Sequence, residues 1–135
     1  MTPTREQVDA ELKRLVVPEF RRLGFKGSYP HFYRDRAGHI DLATVQFISG
    51  GGKFVVELSY SDRERGNVYI YKDLPPAKLR TSQTTKRFRL GATAPHNDHW
   101  FVCTDEKAEL TALCASVNQL LSTQGSNWWL QQSDA

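Results

Sequence analysis

The hexapeptide KRFRLG, Lys86 to Gly91, sets Arg87 and Arg89 two residues apart. On a strand, such residues leave the same face about 7 Å apart. Two guanidinium forks at that separation suit a carboxylate or a phosphate. They suit equally an ordinary cross-strand pairing with Glu57 or Asp41 on neighbouring strands. Gln46 is the second polar residue that needs a reason. It lies in the apolar run HIDLATVQFIS, in phase with Ile40, Leu42, Thr44 and Ile48. A buried amide without partners costs roughly 1–3 kcal/mol. Gln46 is therefore expected either to be satisfied by backbone near the following glycines or by an arginine, or to face a ligand in a cleft. Arg34, Gln46, Arg87 and Arg89 form a polar set that either fixes the sheet's register as a buried network or lines a groove.

Other chemistry has less support. PHNDHW gathers His96, Asp98 and His99, side chains that metals favour, but at no spacing that defines a site, and no metal is expected. The GGG run joins two strands and reads as a turn, not a phosphate loop. No nucleophile elbow occurs, and the acids Asp105 and Glu106 stand where helix starts prefer them. No catalytic residue is assigned and no cofactor is expected. Cys103 and Cys114 lie in apolar contexts without a CxxC spacing, so they read as reduced, buried thiols.

Charge narrows the class of partner. The chain carries a net charge of +3, but Ser61 to Leu90 holds eight Lys/Arg against three acids. That stretch draws an acidic protein or a phosphate backbone; broken into short pieces, it also reads as a solvated, turn-rich surface. Tyr29, Phe32, Tyr33, Tyr60, Tyr69, Tyr71 and Trp100 suit base stacking, and they are also the usual filling of strands. The basic-aromatic signature of an RNA-recognition sheet is missing.

The elements that must position these side chains follow from periodicity. Val8, Leu12, Leu15, Val16, Phe20 and Leu23 make one helical face, opened by a Thr4–Gln7 capping box, interrupted at Pro18 and closed by Gly24. SYPHFYRD predicts a strand and RDRAGH a turn. His39–Ser49 is apolar on both faces, which predicts a central strand covered on both sides. SGGG predicts a hairpin into KFVVELSY, whose Phe54, Val56, Leu58 and Tyr60 share one side. VYIY, KRFRLG and HWFVC predict further short strands around the irregular KDLPPAKLRTSQTT. A second helix runs over DEKAELTALCASVNQLLS, capped by Asp105 or Thr104 and striped by Leu110, Leu113, Cys114, Val117, Leu120 and Leu121. Gly125 ends the tail of this helix, and NWWLQQ then packs or hangs free. The expectation is one α+β domain over residues 1–135, with an antiparallel sheet of about five or six strands packed against N- and C-terminal helices. No run is long enough to span a membrane and no leader-like segment opens the chain, which predicts a cytoplasmic protein.

LGF (Leu23–Phe25), FYR (Phe32–Arg34), VQF (Val45–Phe47), a glycine turn, KFVVELSY, RFRLG (Arg87–Gly91), HWF (His99–Phe101) and a last helix near a WW pair follow in order. The ordered set resembles a family of small bacterial domains of unknown function, over nearly the whole chain. The resemblance implies a cytoplasmic α+β domain that commonly stands alone. It implies no activity, substrate or catalytic residue.

The leading expectation is a non-enzymatic protein-binding module, by class analogy of the immunity type, whose basic surface meets an acidic partner. Its candidate binding residues are Arg34, Gln46, Tyr60, Arg87, Arg89 and Trp100, with exposed aromatics as anchors. The alternative is nucleic-acid or nucleotide binding through residues 61–90. An enzyme with a pocket around Gln46, Arg34 and the two strand arginines comes third.

Overall fold

The first helical turn is set by the expected reciprocal cap: Thr4 Oγ1 accepts from Gln7 N–H and Gln7 Oε1 accepts from Thr4 N–H. In the computed structural model, which describes residues 3–48, 52–62, 74–94 and 97–134, helix α1 runs Arg5–Leu15. It breaks at Val16, and α2 (Val17–Arg22) restarts with Pro18 in its first turn, where a missing N–H costs nothing. Gly24 takes φ +94, and Phe25 N–H reaches back to Phe20 C=O at 2.9 Å, closing the helix with a left-handed cap.

Strands β1 (His31–Arg36), β2 (His39–Phe47) and β3 (Lys53–Asp62) follow as an antiparallel meander. Ala37 and Gly38 join β1 to β2 with φ of +55 and +94, the positive-φ pair that a tight hairpin needs. The far edge of β3 is shared: β4 (Arg87–Arg89) pairs with Glu57–Ser59, and β5 (Phe101–Val102) pairs with Lys53 and Phe54. The result is a five-stranded antiparallel sheet, β1-β2-β3-β4 with β5 beside β3, and the fold class is α+β as expected. VYIY and the Ser49–Gly51 part of the glycine turn lie outside the described residues.

Alternation along the strands divides the side chains between two faces. Phe32, Ala43, Val45, Phe54, Val56, Leu58 and Leu90 meet the helices in the main core. There Phe20 stacks on Phe32 with ring centroids 4.1 Å apart; full burial of such a side chain is worth roughly 1.5–3 kcal/mol. The stripe Leu110, Cys114, Val117 and Leu121 of helix α3 (Lys107–Leu120) closes this core. Glu106 caps α3 instead of Asp105 or Thr104, accepting from Ala108 and Glu109 N–H.

Gly125 does not end the helical run. A π-helical turn, Leu121–Gly125, carries it into α4, Ser126–Asp134. A Cβ on Gly125 would stand 3.3 Å from Leu90 Cδ1 and 3.5 Å from Leu58 Cδ1. This glycine therefore serves a close approach of helix to sheet. NWWLQQ packs: Trp129 is fully buried and donates its indole N–H to Ser59 C=O at 3.1 Å.

The other face of the sheet, here the second face, is covered by the stretch that looked irregular. Two short 3₁₀ turns, Pro76–Lys78 and Thr81–Gln83, cross it as a strap. Leu79 packs on Ile40 and Leu42, and Thr81 Oγ1 donates to Thr44 Oγ1 at 3.2 Å. Strand β2 is thus buried on both sides. No helix among the described residues is long and apolar enough to cross a membrane.

Candidate functional site

The cross-strand register lines polar residues into rows. On the second face, His31, Thr44, Glu57 and Arg89 stand opposite one another through β1, β2, β3 and β4. The next row is Tyr33, Leu42, Ser59 and Arg87. Glu57, Ser59, Ser61, Thr81 and Thr84 are buried there, and Ser59 Oγ and Ser61 Oγ have no hydrogen-bond partner among the described residues. A strand face with this much buried polarity departs from ordinary packing.

Arg87 and Arg89 leave this face together, as expected. Arg87 Nη1 lies 3.4 Å from Glu57 Oε1, and Arg89 Nε lies 3.8 Å from Asp98 Oδ1. Both pairs are long, and the Arg87 side chain keeps 42% of its exposure and that of Asp98 56%. The pair of Arg89 with exposed Asp98 contributes little, whereas Arg87 balances the buried Glu57 carboxylate while its own solvent-facing side keeps room for a further acid.

The backbone of β4 is available too. Leu90 N–H donates to Val56 C=O at 2.9 Å. Alternation then turns the N–H and C=O of Arg87 and the N–H of Arg89 away from β3. Arg89 C=O takes the N–H of Ala92 at 3.0 Å. Beside this edge lie two adjoining hollows of about 320 and 340 Å³. Arg87, Trp128 and Gln132 line both, Lys86 lines one, Phe88 the other, and no acid among the described residues lines either. Trp128 stacks on Phe88 with centroids 5.8 Å apart, so an aromatic wall and a cationic rim flank one groove.

A different constellation occupies the helix face. Asp41 is completely buried. It accepts from Arg34 Nε at 2.8 Å and lies 2.7 Å from Arg34 Nη2; Arg36 Nε and Nη2 donate at 2.6 and 2.8 Å. Arg34 also donates to Leu23 C=O at 2.8 Å and lies over the rings of Phe25 and Trp129. His39 approaches from the side, with Nε2 3.7 Å from Asp41 and its ring stacked on Tyr60. Two guanidiniums on one carboxylate form a lock between β1, β2 and α4. The spacing of RDRAGHID carries the signal for it: a two-residue turn at Ala37 and Gly38 sets Arg34 opposite Asp41.

The sequence-predicted residues therefore divide. Arg34 lies on the helix face, whereas Arg87 and Arg89 lie on the second face, so the pocket expected around Gln46, Arg34 and the strand arginines does not form. Gln46 shares the second face but is exposed. It sits one residue before the end of β2, past the reach of the strap, where no buried partner is required of its amide. Tyr60 is buried between His39 and Trp128 and is not an exposed anchor. Trp100 is half-buried, with Lys53 Nζ 4.8 Å from its ring, away from the β4 groove. Trp128, which composition could not single out, lines the β4 groove instead.

Asp98 serves Arg89. His99 packs edge-on to Phe101, and His96 lies outside the described residues. No group of His, Cys, Asp and Glu suited to a metal exists among the described residues. Both cysteines are free and buried, and burial pushes each thiol up to about 11. Burial, and after it the charge of Arg80, lowers the pKa of His31.

Comparison with curated proteins and with solved structures finds no match in either. A family model does match, over residues 16–131, and takes in α2, the whole sheet, α3 and α4 as far as Gln131. The family is a domain of unknown function, DUF4304, and this chain belongs to it.

Proposed function

We propose that the chain is a non-enzymatic protein-binding module of the bacterial cytoplasm, whose β4 edge receives an acidic, extended segment of a partner protein. The observation that carries this reading is the open edge itself. The outward N–H and C=O of Arg87 and the outward N–H of Arg89 lie beside a groove walled by Phe88 and Trp128 and rimmed, among the described residues, by Lys86 and Arg87. An added strand would take main-chain hydrogen bonds from β4. Its carboxylates would displace Asp98 from Arg89 and join Glu57 at Arg87, and one apolar side chain would lie against Trp128. Charge would set the rate of encounter, and the aromatic wall most of the residence time.

The test is fluorescence anisotropy of a labelled extended peptide that alternates Glu with Leu or Val, against a Lys-for-Glu control and a single-stranded oligonucleotide. Expected is saturable binding of the acidic peptide alone. It should weaken at least tenfold in Arg87→Glu/Arg89→Glu and in Trp128→Ala. Equal binding by the double-charge variant removes this surface. Binding of the oligonucleotide in preference to the peptide moves the reading to nucleic acid.

A further inference from the structure

The second face carries another concavity at its opposite edge, over β1. A hollow of about 230 Å³ opens between the Gly27–Ser28 turn, the face of β1 at His31 and Tyr33, and the strap from Ala77 to Arg80. Its charged lining among the described residues is one-sided: Lys78 and Arg80 line it with His31, and no described carboxylate does. Arg80 makes no ion pair among the described residues. Its Nη1 donates to the C=O of Ala77 and Leu79 at 3.0 and 3.1 Å, which pins the guanidinium to the strap and leaves Nε and Nη2 to point elsewhere.

The imidazole is oriented by a chain of hydroxyls. Thr81 Oγ1 donates to Thr44 Oγ1 at 3.2 Å. Thr44 then has one proton to give, and His31 Nδ1 lies 3.1 Å from its oxygen. With Nδ1 as acceptor, the neutral ring carries its proton on Nε2 and becomes a donor. The lowered pKa of His31, caused by burial and by Arg80, agrees with that neutral tautomer. Gly27 leaves room for the turn: a Cβ there would stand 2.7 Å from His31 C=O.

We infer that this hollow binds a phosphate group, held by Arg80, Lys78 and the Nε2–H of His31. A guanidinium, an ammonium and an imidazole N–H arriving from two separate segments suit a tetrahedral oxyanion; a flat carboxylate is served by one guanidinium fork. The volume admits a small phosphorylated molecule as well as free phosphate. The site lies across the sheet from β4 and stands or falls independently of the protein-binding reading.

The experiment is a titration of the isotope-labelled chain, followed by amide and imidazole NMR shifts. The probes are inorganic phosphate and ribose 5-phosphate, with acetate at matched ionic strength. Expected are saturable shifts at Gly27, His31, Lys78 and Arg80 with phosphate, at least tenfold weaker in Arg80→Gln, whose half-buried side chain bonds carbonyls of its own strap and whose amide spectrum away from the strap checks that the fold is kept. His31→Gln, which keeps an N–H donor, should retain part of the affinity. Tighter binding of ribose 5-phosphate identifies a phosphorylated metabolite as the source, and equal binding identifies free phosphate. The inference is overturned if phosphate gives no saturable shift at these residues by tens of millimolar. It is overturned equally if acetate reproduces the shifts or if Arg80→Gln binds as tightly as the parent chain.

Discussion

Replacing Asp41 by Asn tests the lock beneath α4. The side chain is completely buried and meets four guanidinium nitrogens at 2.6–2.8 Å. Asn keeps the shape, but it removes the charge and turns an NH₂ donor toward donors. Breaking a buried pair by removing one partner costs about 3–5 kcal/mol. Here the orphaned groups are not sealed: the Arg34 and Arg36 side chains retain 20% and 32% of their exposure, and Arg34 keeps Leu23 C=O. Water then relieves part of the penalty, which places the loss at the low end, about 3 kcal/mol. For a chain of this size that is roughly 12 °C in melting temperature, or about 2 M in the urea midpoint at a typical slope. Arg36→Gln should cost only about 1 kcal/mol, because Asp41 retains Arg34. The assay is urea unfolding by circular dichroism of both single variants and the double. The double should lose clearly less than the sum of the singles, since the two residues share one interaction. A loss below about 1 kcal/mol for Asp41→Asn, or strict additivity, would refute the claim that this carboxylate holds the two strands to the last helix.

Three further outcomes rest on buried or strained groups elsewhere in the chain. The folded-state pKa of His31 lies below its ordinary 6.5, so the unfolded chain takes the proton first. Its stabilising contribution is complete above pH 6.5 and shrinks as pH falls toward the folded value. Arg80 is the charge that faces it, and His31→Gln should flatten the acid limb of a stability–pH curve measured by urea midpoints. Cys103 and Cys114, both pushed up to about 11, stay protonated, so a disulfide reagent at pH 8 should label neither in the native chain and both in denaturant. Their neutral form favours the fold below the ordinary 9.0, and that contribution disappears as pH rises through about 11. Gly38→Ala, at φ +94 with nothing within 4 Å, should cost about 1–2 kcal/mol for its backbone alone. Gly27→Ala, at φ +107 and 2.7 Å from His31 C=O, should cost a further 1–3 kcal/mol or so by overpacking, seen as a larger fall in melting temperature.

Local chemistry was readable wherever one residue decides one geometry. Thr4 with Gln7, Pro18 and Gly24 delimit the first helices because each acts on the backbone next to it. The two-sided apolarity of β2 correctly announced cover on both faces. It could not announce that the cover is the proline-containing stretch, because a strap has no periodicity and is held only by tertiary contacts such as Leu79 on Ile40 and Leu42. Gly125 misled for the same reason: a glycine needed for close packing against Leu58 and Leu90 carries the same letter as a helix stop. Gln46 misled because burial along a strand depends on where the covering layer ends. For the candidate site, the shared face of Arg87 and Arg89 follows from spacing alone. The division of Arg34 from them follows from hairpin register. The groove at Trp128 was beyond reach, because its wall depends on the irregular turn that orients the last helix.

That wide turn, Leu121–Gly125, determines which of two adjacent indoles looks inward. Each residue advances an α-helix by about 100°, and a π turn holds one residue more than a regular helix requires. Excising one exposed residue from it, Ser122 or Thr123, would wind the segment tight and swivel everything beyond by that angle. Trp129 would swing out from under Arg34, and Trp128 would leave Phe88. The single supernumerary residue is the key that indexes the C-terminal segment, so that a deletion there would strike the interior and the outer rim in one stroke.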